Sequence, residues 1–392
     1  METGAKKFTA AQLALAIVFC AVLAGVFVLL LVLPKHAGEL SPLEFRTLAE
    51  HPFAGKTASK LSNELVKGEL SDNVDSFLED HFPGRSFLIA LNSYYLRLTG
   101  RNANQPVIWG KGERLYGAPL PESSDKFGEN ELKISAFAEA NGLETYIAVV
   151  PSSALVCGDE LPAVCPDYYD AGYIAELSQR GFTYVPDLIA LYSAQEDPEA
   201  LFYRTDHHWT MEGAYVCYAD LCEKLGETPA ARSEFTKEGY EFYGSFYREA
   251  GLWQISPDTL EIWRSPKLDS AVTTIGSGER AIVHSGVYDE AKLAEGEVDR
   301  YAAYLWSNNP ITVIENPEGN GETVLLLKDS YGNSIAPLLA MNFSRVVMLD
   351  TRYYTSALPM PSELAAEYGI TKLIVVFGTE SMITDTGLVF LR

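Results

Sequence analysis

The pattern of apolar and polar positions divides the 392-residue chain into three parts. From Leu13 to Leu33 runs an uninterrupted apolar stretch, LALAIVFCAVLAGVFVLLLVL. As a helix rising ~1.5 Å per residue it reaches roughly 30 Å, the thickness of a bilayer's hydrocarbon core. The run is longer than the roughly 7–15 apolar residues of a signal-peptide core, and PKHAGEL behind it offers no clear small-x-small cleavage site. It therefore reads as an uncleaved signal anchor over 13–33. Residues 40–57 are punctuated by Pro and Gly, after which ASKLSNELVKGELSDNVDSFLEDHF and SFLIALNSYYLRLTG carry apolar residues at helical spacing. Residues 34–104 are thus expected to form a linker and a helical collar.

From about residue 105 the pattern changes to short apolar runs alternating with helical stretches. TYIAVV (145–150), VLLLKD (324–329), RVVMLD (345–350) and KLIVVF (372–377) are bounded by polar or turn residues. Runs of this kind suit strands buried on both faces of a parallel sheet. Helices are expected between them at 124–142, 171–181, 210–226 and 334–342. The alternation predicts a three-layer α/β domain with a mostly parallel sheet over 105–392. Residues 239–321, with Tyr, Trp, Gly and Ser in short runs and no helical period, read as an insertion or elaborated loops.

Composition narrows the function classes. With 47% hydrophobic and 21% charged residues the chain is a folded protein. A formal charge of −23 and the lack of a Lys/Arg cluster exclude a nucleic-acid partner, whose phosphates need clustered cations. Lys6 and Lys7 precede the apolar run and Lys35 follows it, a modest positive-inside bias that makes 1–12 a cytoplasmic tail and places the body outside the cytoplasm. In an exported body Cys157 and Cys165, which bracket GDELPAV, are placed either for a local disulfide or as two thiols. Cys217 and Cys222 read as small buried hydrophobes. No C-x-x-C pair points to structural zinc.

In α/β folds of this kind functional groups gather beyond the carboxyl ends of the strands. After VLLL comes KDSYGNS, which places Ser330 at a strand-to-helix turn near unpaired backbone N–H groups and the positive helix end. Two readings stand at this point: Ser330 is a nucleophile, or Ser330 or Asp329 only caps the helix. The stretch FYRTDHHWTMEGAY (202–215) bears on the choice. A serine hydroxyl is activated by an imidazole that a carboxylate holds in one tautomer, and Asp206, His207 and His208 supply both groups. Asp206 can orient His208 through Nδ1 and leave Nε2 for Ser330. A helix-capping aspartate with structural histidines is the plain alternative. A metal site is the second rival: the remaining histidines, His36, His51, His81 and His284, have no H-x-x-x-H spacing with this pair, so a multi-histidine site is not expected, although carboxylates could complete one, and no cofactor is expected.

Taken together, TDHHWT and KDSYGNS resemble the DHHW family of bacterial membrane-anchored proteins, related to the SGNH-type acyltransferase and esterase domains of polysaccharide O-acetylation such as the alginate acetylation proteins. LEFRTLAEHP, LEDHFPGR, YREAG, YLWSNNP and DTRYY look like further landmarks in the same order. The resemblance implies an SGNH-like, flavodoxin-like domain whose Asp/His block precedes the serine block, a circularly permuted order. It implies Ser330 as nucleophile, His208 as general base and Asp206 as its orienting acid. Beside the Ser330 N–H, Asn308 and Gly244 are the expected oxyanion donors, although Trp306 and Ser307 stand where the related pattern has small glycines. Arg352 and Tyr353 are candidates for binding a carboxylate, phosphate or sugar hydroxyl. Trp209 either stacks on a sugar or packs against the sheet, and His207 is expected to point away from Ser330. The implied activity is a serine-dependent O-acyltransferase or esterase, most simply O-acetyl, with a polysaccharide acceptor and room for a membrane protein that delivers the acyl group. A non-catalytic, membrane-anchored carbohydrate-binding or assembly protein is the alternative, kept open by Trp306 and Ser307.

Overall fold

The computed structural model describes residues 9–41, 47–104, 106–252 and 254–392. Lys6 and Lys7, and residues 43–46 of the LEFRTLAEHP stretch, lie outside the described residues. The chain forms two compact units, Met1–Tyr95 and Leu96–Arg392.

In the first unit the apolar run is a single helix, α1 (Ala10–Val32), which Thr9 starts by accepting the Gln12 N–H while the Gln12 side chain accepts the Thr9 N–H. None of its residues is buried, and it is long and apolar enough to cross a membrane. The predicted collar consists of α2 (Ala58–Lys67), α3 (Glu69–Asp80) and α4 (Arg85–Leu98), of which α4 runs on into the second unit. The Thr57 hydroxyl caps α2, and Lys56 pairs with the buried Glu64 at 2.7 Å.

The second unit opens with a small antiparallel sheet, β1 (Ala103–Asn104), β2 (Val107–Trp109) and β3 (Leu115–Gly117). There follow α5 (Asp125–Asn141), β4 (Glu144–Val150), α6 (Asp170–Ser178), α7 (Leu188–Ser193) and α8 (Met211–Leu225). Next come β5 (Thr236–Phe242), α9 (Ser245–Ala250), β6 (Asp258–Arg264), α10 (Pro266–Asp269), β7 (Val272–Ile275), β8 (Ile282–Ser285) and β9 (Ile311–Glu315). The chain ends through β10 (Thr323–Lys328), α11 (Gly332–Ala340), β11 (Arg345–Leu349), α12 (Pro361–Glu367), β12 (Lys372–Gly378) and α13 (Thr379–Thr384).

The central sheet has the order β4-β12-β10-β11-β9-β7-β8. The four apolar runs form its parallel half, β4, β12, β10 and β11. The other half differs from the expectation of a mostly parallel sheet: β9, β7 and β8 add in antiparallel fashion, so the sheet is mixed. These three strands come from 239–321, which is therefore not confined to loops. All three are short; β7 and β8 are largely exposed and β9 is interrupted by Thr312, and for that reason they carry no long continuous apolar run. The first part of the same stretch pairs β5 with β6 and carries α9 in the connection between them.

Side chains of the parallel strands alternate between two apolar cores. Tyr146, Ala148, Leu326, Met348 and Ile374 face one core, shared with α7, α8 and α11; Ile147, Leu327, Val347 and Val375 face the other, shared with α5, α6, α12 and α13. This is a three-layer arrangement. All five cysteines are free thiols, so the disulfide reading of Cys157 and Cys165 is not what the structure holds. Cys157 is packed in the first core, and burial pushes its thiol up to about 11.

Candidate active site

The turn that carries Ser330 joins β10 to α11. Asp329 braces it: one carboxylate oxygen accepts the Tyr331 N–H at 2.9 Å and the other accepts the Gly378 N–H at 2.7 Å, which ties the turn to the end of β12. A Cβ on Gly332 would lie 2.3 Å from Lys328 Cβ, so only glycine lets the helix start this close over the strand. Neither Asp329 nor Ser330 caps α11, which has no side-chain cap hydrogen bond, and the Ser330 side chain turns toward His208.

The His208 loop is fixed from several sides. Phe202 and Trp209 form a β-bridge, and Tyr203 N–H donates to the His208 carbonyl, closing 203–208 into a tight excursion. Asp258 accepts the N–H groups of Arg204 and Thr205 and the Thr205 hydroxyl. The Tyr331 hydroxyl donates to the His207 carbonyl, tying this loop to the Ser330 turn. Within it, His208 Nδ1–H donates to Asp206 Oδ1 at 2.6 Å, which leaves Nε2 to accept from Ser330 Oγ at 2.8 Å. The other Asp206 oxygen accepts the Ser245 N–H at 2.7 Å. Asp206 and His208 are buried, and Ser330 is half-buried. Burial by itself raises the Asp206 carboxyl, but the adjacent imidazoles and the hydrogen bonds from His208 and Ser245 outweigh it and hold the group well below its ordinary range. The carboxylate is thus ionised wherever the imidazole needs orienting.

His208 is also sandwiched. Tyr301 lies parallel to it with ring centroids 3.9 Å apart, and His207 covers the other side at 3.8 Å. His207 Nδ1 pairs with the Ser245 hydroxyl at 2.9 Å instead of with Ser330. Ligand atoms of Asp206, His207 and His208 lie within 4.8 Å of one another, close enough for a metal ion. Each imidazole Nδ1 is nevertheless already engaged, with Asp206 and with Ser245, so the set fits a proton relay better than a coordination sphere.

Ser330 opens into a cavity of about 470 Å³. The loops after β4, β10, β11 and β12 line it together with α9, so the carboxyl ends of the parallel strands form its floor.

Residues 178–349 match a family model described as DHHW protein. This region is similar to the DHHW family. A probable alginate O-acetylase, AlgJ, of Pseudomonas syringae is 26% identical over 194 residues, covering 45% of this chain and 47% of that protein. The chain thus spans about half the length of the curated relative it matches. Among solved structures, a DHHW family protein from Eubacterium siraeum aligns with TM-score 0.59 and 18% identity over 72% of this chain and 97% of that one. Bacillus cereus PatB1 aligns with TM-score 0.60 and 22% identity over 74% of this chain and 99% of that one. These two likenesses establish a shared fold.

The DHHW tetrad itself is divided in its placement. Asp206 and His208 face Ser330, and His207 lies on the cavity wall. Trp209, a candidate for stacking on a sugar, is fully buried and donates its indole N–H to Ser334 Oγ at 2.7 Å, so it packs under the site and cannot touch a ligand. Gly244, an expected oxyanion donor, gives its N–H to the Thr205 hydroxyl at 3.1 Å. Its lack of a side chain has a different use, because a Cβ there would lie 2.1 Å from Asp206 Cβ. Arg352 is on the cavity wall with two nitrogens donating to the two oxygens of Asp350. Tyr353 is half-exposed and is not part of the wall.

Asn308 sits beside the Ser330 turn, off the cavity wall. Its Oδ1 accepts from Lys328 Nζ at 3.2 Å and from Asn333 Nδ2 at 3.0 Å, so the amide oxygen faces the buried cation and the amide NH₂ is directed away from it. Lys328 also donates to Asn333 Oδ1 and Asp350 Oδ2, and burial lowers its pKa. The residues before Asn308 are unusual: Leu305, Trp306 and Ser307 take φ of 54°, 56° and 73°. The amide of Asn309 donates among their three carbonyls, and Trp306 stacks on His284 with centroids 4.0 Å apart. The left-handed backbone that glycines would favour is thus kept by residues with side chains.

Sequence reasoning did not find Tyr301, Ser245 or Asp258. Tyr301 lies in an apolar stretch, Ser245 acts on Asp206 through a backbone N–H, and Asp258 is far along the chain from the loop it holds.

Proposed function

We propose that this protein is a serine-dependent O-acyltransferase, most simply an O-acetyltransferase, whose acceptor is an extracytoplasmic polysaccharide. The single observation that carries the reading is the relay from Asp206 through His208 to Ser330, at 2.6 and 2.8 Å, at the floor of a cavity. The alginate O-acetylase named among the relatives supports the acyl group and the polysaccharide class. In this mechanism Ser330 Oγ attacks the acyl carbonyl while His208 Nε2 takes its proton and then gives it to the departing group. The acyl-serine is next attacked by a sugar hydroxyl, whose proton passes to His208 and returns to Ser330 Oγ as the acyl–serine bond breaks. Water in place of the sugar makes the same site an esterase. The oxyanion is met by the Ser330 N–H, and Asn308 is the proposed side-chain donor, with its amide turned by Lys328. Arg352 is proposed to hold a substrate oxygen.

The fold is read as SGNH-like with a permuted motif order. Helix α1 is read as a single-pass anchor with the body outside the cytoplasm, which supports delivery of acyl groups by a membrane partner. A C-terminal reporter that functions only after export should be active, and a cytoplasmic fluorescent reporter should stay dark; the reverse result would overturn this topology. The chemistry is tested by labelling with an organophosphonate. Wild-type protein should be labelled at Ser330 and His208→Ala should not. A folded wild-type protein left unlabelled would favour a non-catalytic carbohydrate-binding role instead.

A further inference from the structure

The surroundings of His208 fix the side from which an acceptor reaches it, and the inference rests on the acyl-transfer reading above. Tyr301 closes one face of the imidazole at 3.9 Å and lies off the cavity wall, as His208 itself does. The other face is covered at 3.8 Å by His207, which is on the wall. Among the described residues the wall next to His208 is made by His207, Ser330 and Tyr331. An acceptor hydroxyl gives its proton to His208 Nε2, so its oxygen comes within hydrogen-bond reach of that atom, ~2.6–3.2 Å. An acceptor in that position lies against His207.

His207 is held as a hydrogen-bond donor at this wall. Its carbonyl accepts the Tyr331 hydroxyl, and its Nδ1 pairs with Ser245 Oγ at 2.9 Å. Asp206 takes no proton from that Nδ1. Oδ1 lies 3.6 Å away and already accepts the backbone N–H and Nδ1–H of His208, and Oδ2 accepts the Ser245 N–H. The Ser245 hydroxyl proton has no other acceptor among the described residues. Ser245 Oγ–H thus donates to Nδ1, and the His207 proton is on Nε2. This nitrogen has no partner among the described residues and is not sealed from solvent. Burial, and then the neighbouring His208, lower the His207 pKa to about 4, so near neutral pH the ring is an uncharged N–H donor.

We propose that His207 binds the acceptor: its Nε2–H donates to the oxygen next to the hydroxyl being acylated, so the site selects acceptors with two neighbouring oxygens, as in a sugar diol. The two imidazoles are one ring's thickness apart, a spacing that suits oxygens on adjacent carbons and leaves a lone alcohol with one contact missing. Phe246, on the same wall with its centroid 6.0 Å from that of His207, offers a face to the carbon side of the sugar. In transfer the acceptor oxygen bonds to the acyl carbon and the bond to Ser330 Oγ breaks. The acceptor proton goes to His208 Nε2 and on to Ser330 Oγ, while the His207 proton stays on its Nε2.

The experiment uses the full chain in detergent, with para-nitrophenyl acetate as acyl donor and ethylene glycol or n-propanol, which have the same number of heavy atoms, as acceptor. Transfer is read as alkyl acetate formed per nitrophenolate released. The wild type should favour ethylene glycol roughly tenfold per hydroxyl, the weight of one good hydrogen bond. His207→Phe keeps a ring on His208 and loses the N–H. It should bring that ratio to within about twofold of unity while slowing the nitrophenolate burst only about threefold. Ser245→Ala keeps the N–H to Asp206 and frees the His207 tautomer, so it should lower the ratio about threefold, and it decides the matter if His207→Phe has a lowered melting temperature. A ratio unchanged in both variants, a wild type without preference, or transfer to neither alcohol would overturn the proposal. So would a burst abolished in folded His207→Phe, which would put His207 in the relay. Phosphonate labelling keeps the two readings apart: labelled Ser330 without preference defeats this proposal alone, and an unlabelled wild type defeats the acyl-transfer reading with it.

Discussion

The ring of Tyr301 lies on the imidazole of His208 with centroids 3.9 Å apart and planes 10° from parallel, and the Tyr301 hydroxyl donates to the Ser330 carbonyl at 3.1 Å. One side chain therefore touches both the proposed base and the backbone of the proposed nucleophile. Its ring sets the plane of the imidazole, and its hydroxyl sets the turn. Tyr301→Phe keeps the stack and should lower kcat only about threefold, the weight of one modest hydrogen bond. Tyr301→Ala frees the imidazole to tilt and should lower kcat on the order of 10²-fold, since small misplacements of a catalytic group carry penalties of that size. Equal kcat for both variants with an activated acetyl ester would show that the stack does no positioning.

The relay predicts non-additive losses. Ser330→Ala and His208→Ala should each remove nearly all acyl turnover, and the double variant should lose little more, because residues acting as a unit fail together. Asp206→Asn should cost on the order of 10³–10⁴ in kcat by leaving the imidazole in the wrong tautomer. His207→Gln should be milder, because His207 pairs with Ser245 and not with Ser330. Losses that multiply in the double variant would mean the two residues act separately.

Gly244 should matter through space, not through its N–H. Gly244→Ala puts a methyl group where Asp206 Cβ already lies, so the carboxylate must move off His208. A loss of about 1–3 kcal/mol in stability is expected, the usual range for overpacking, together with a fall in kcat. Thermal melting and ester turnover test this, and an alanine variant with unchanged kcat would remove Gly244 from the site.

How far the sequence led can be judged on particular residues. The strands β4, β10, β11 and β12 were legible because burial on both faces demands unbroken apolar runs. The strands β7 and β8 were not, because a short, half-exposed strand needs no such run, and β9 was not, because Thr312 interrupts its short apolar stretch. Asp206, His208 and Ser330 stood out because reactive side chains are scarce and ordered along the chain. Tyr301 did not, since an aromatic ring that orients an imidazole has the same sequence signature as one that fills a core. Trp209 was ambiguous for that reason too, and the core took it.

His207 ties the site to pH. Burial, and then the neighbouring His208, lower its pKa from 6.5 to about 4. Between those values the unfolded chain takes up a proton that the folded chain refuses, so stability present above about 6.5 is lost as pH falls toward 4. Melting temperatures of wild type and His207→Gln should therefore draw together as the medium is acidified across this window. Parallel curves would show that His207 titrates normally in the folded protein.

Leu305, Trp306 and Ser307 hold left-handed backbone without a glycine among them, a conformation that costs a residue with a side chain roughly 1–2 kcal/mol each. Ser307→Gly should relieve part of that strain, and Asn309→Ala should remove the amide that holds the three carbonyls in place. Both changes loosen the segment that presents Asn308. Heat resistance and turnover are therefore set against each other at this loop. A lineage selected for survival at high temperature would readily acquire glycine here, and one selected for rapid acyl transfer would shed it again.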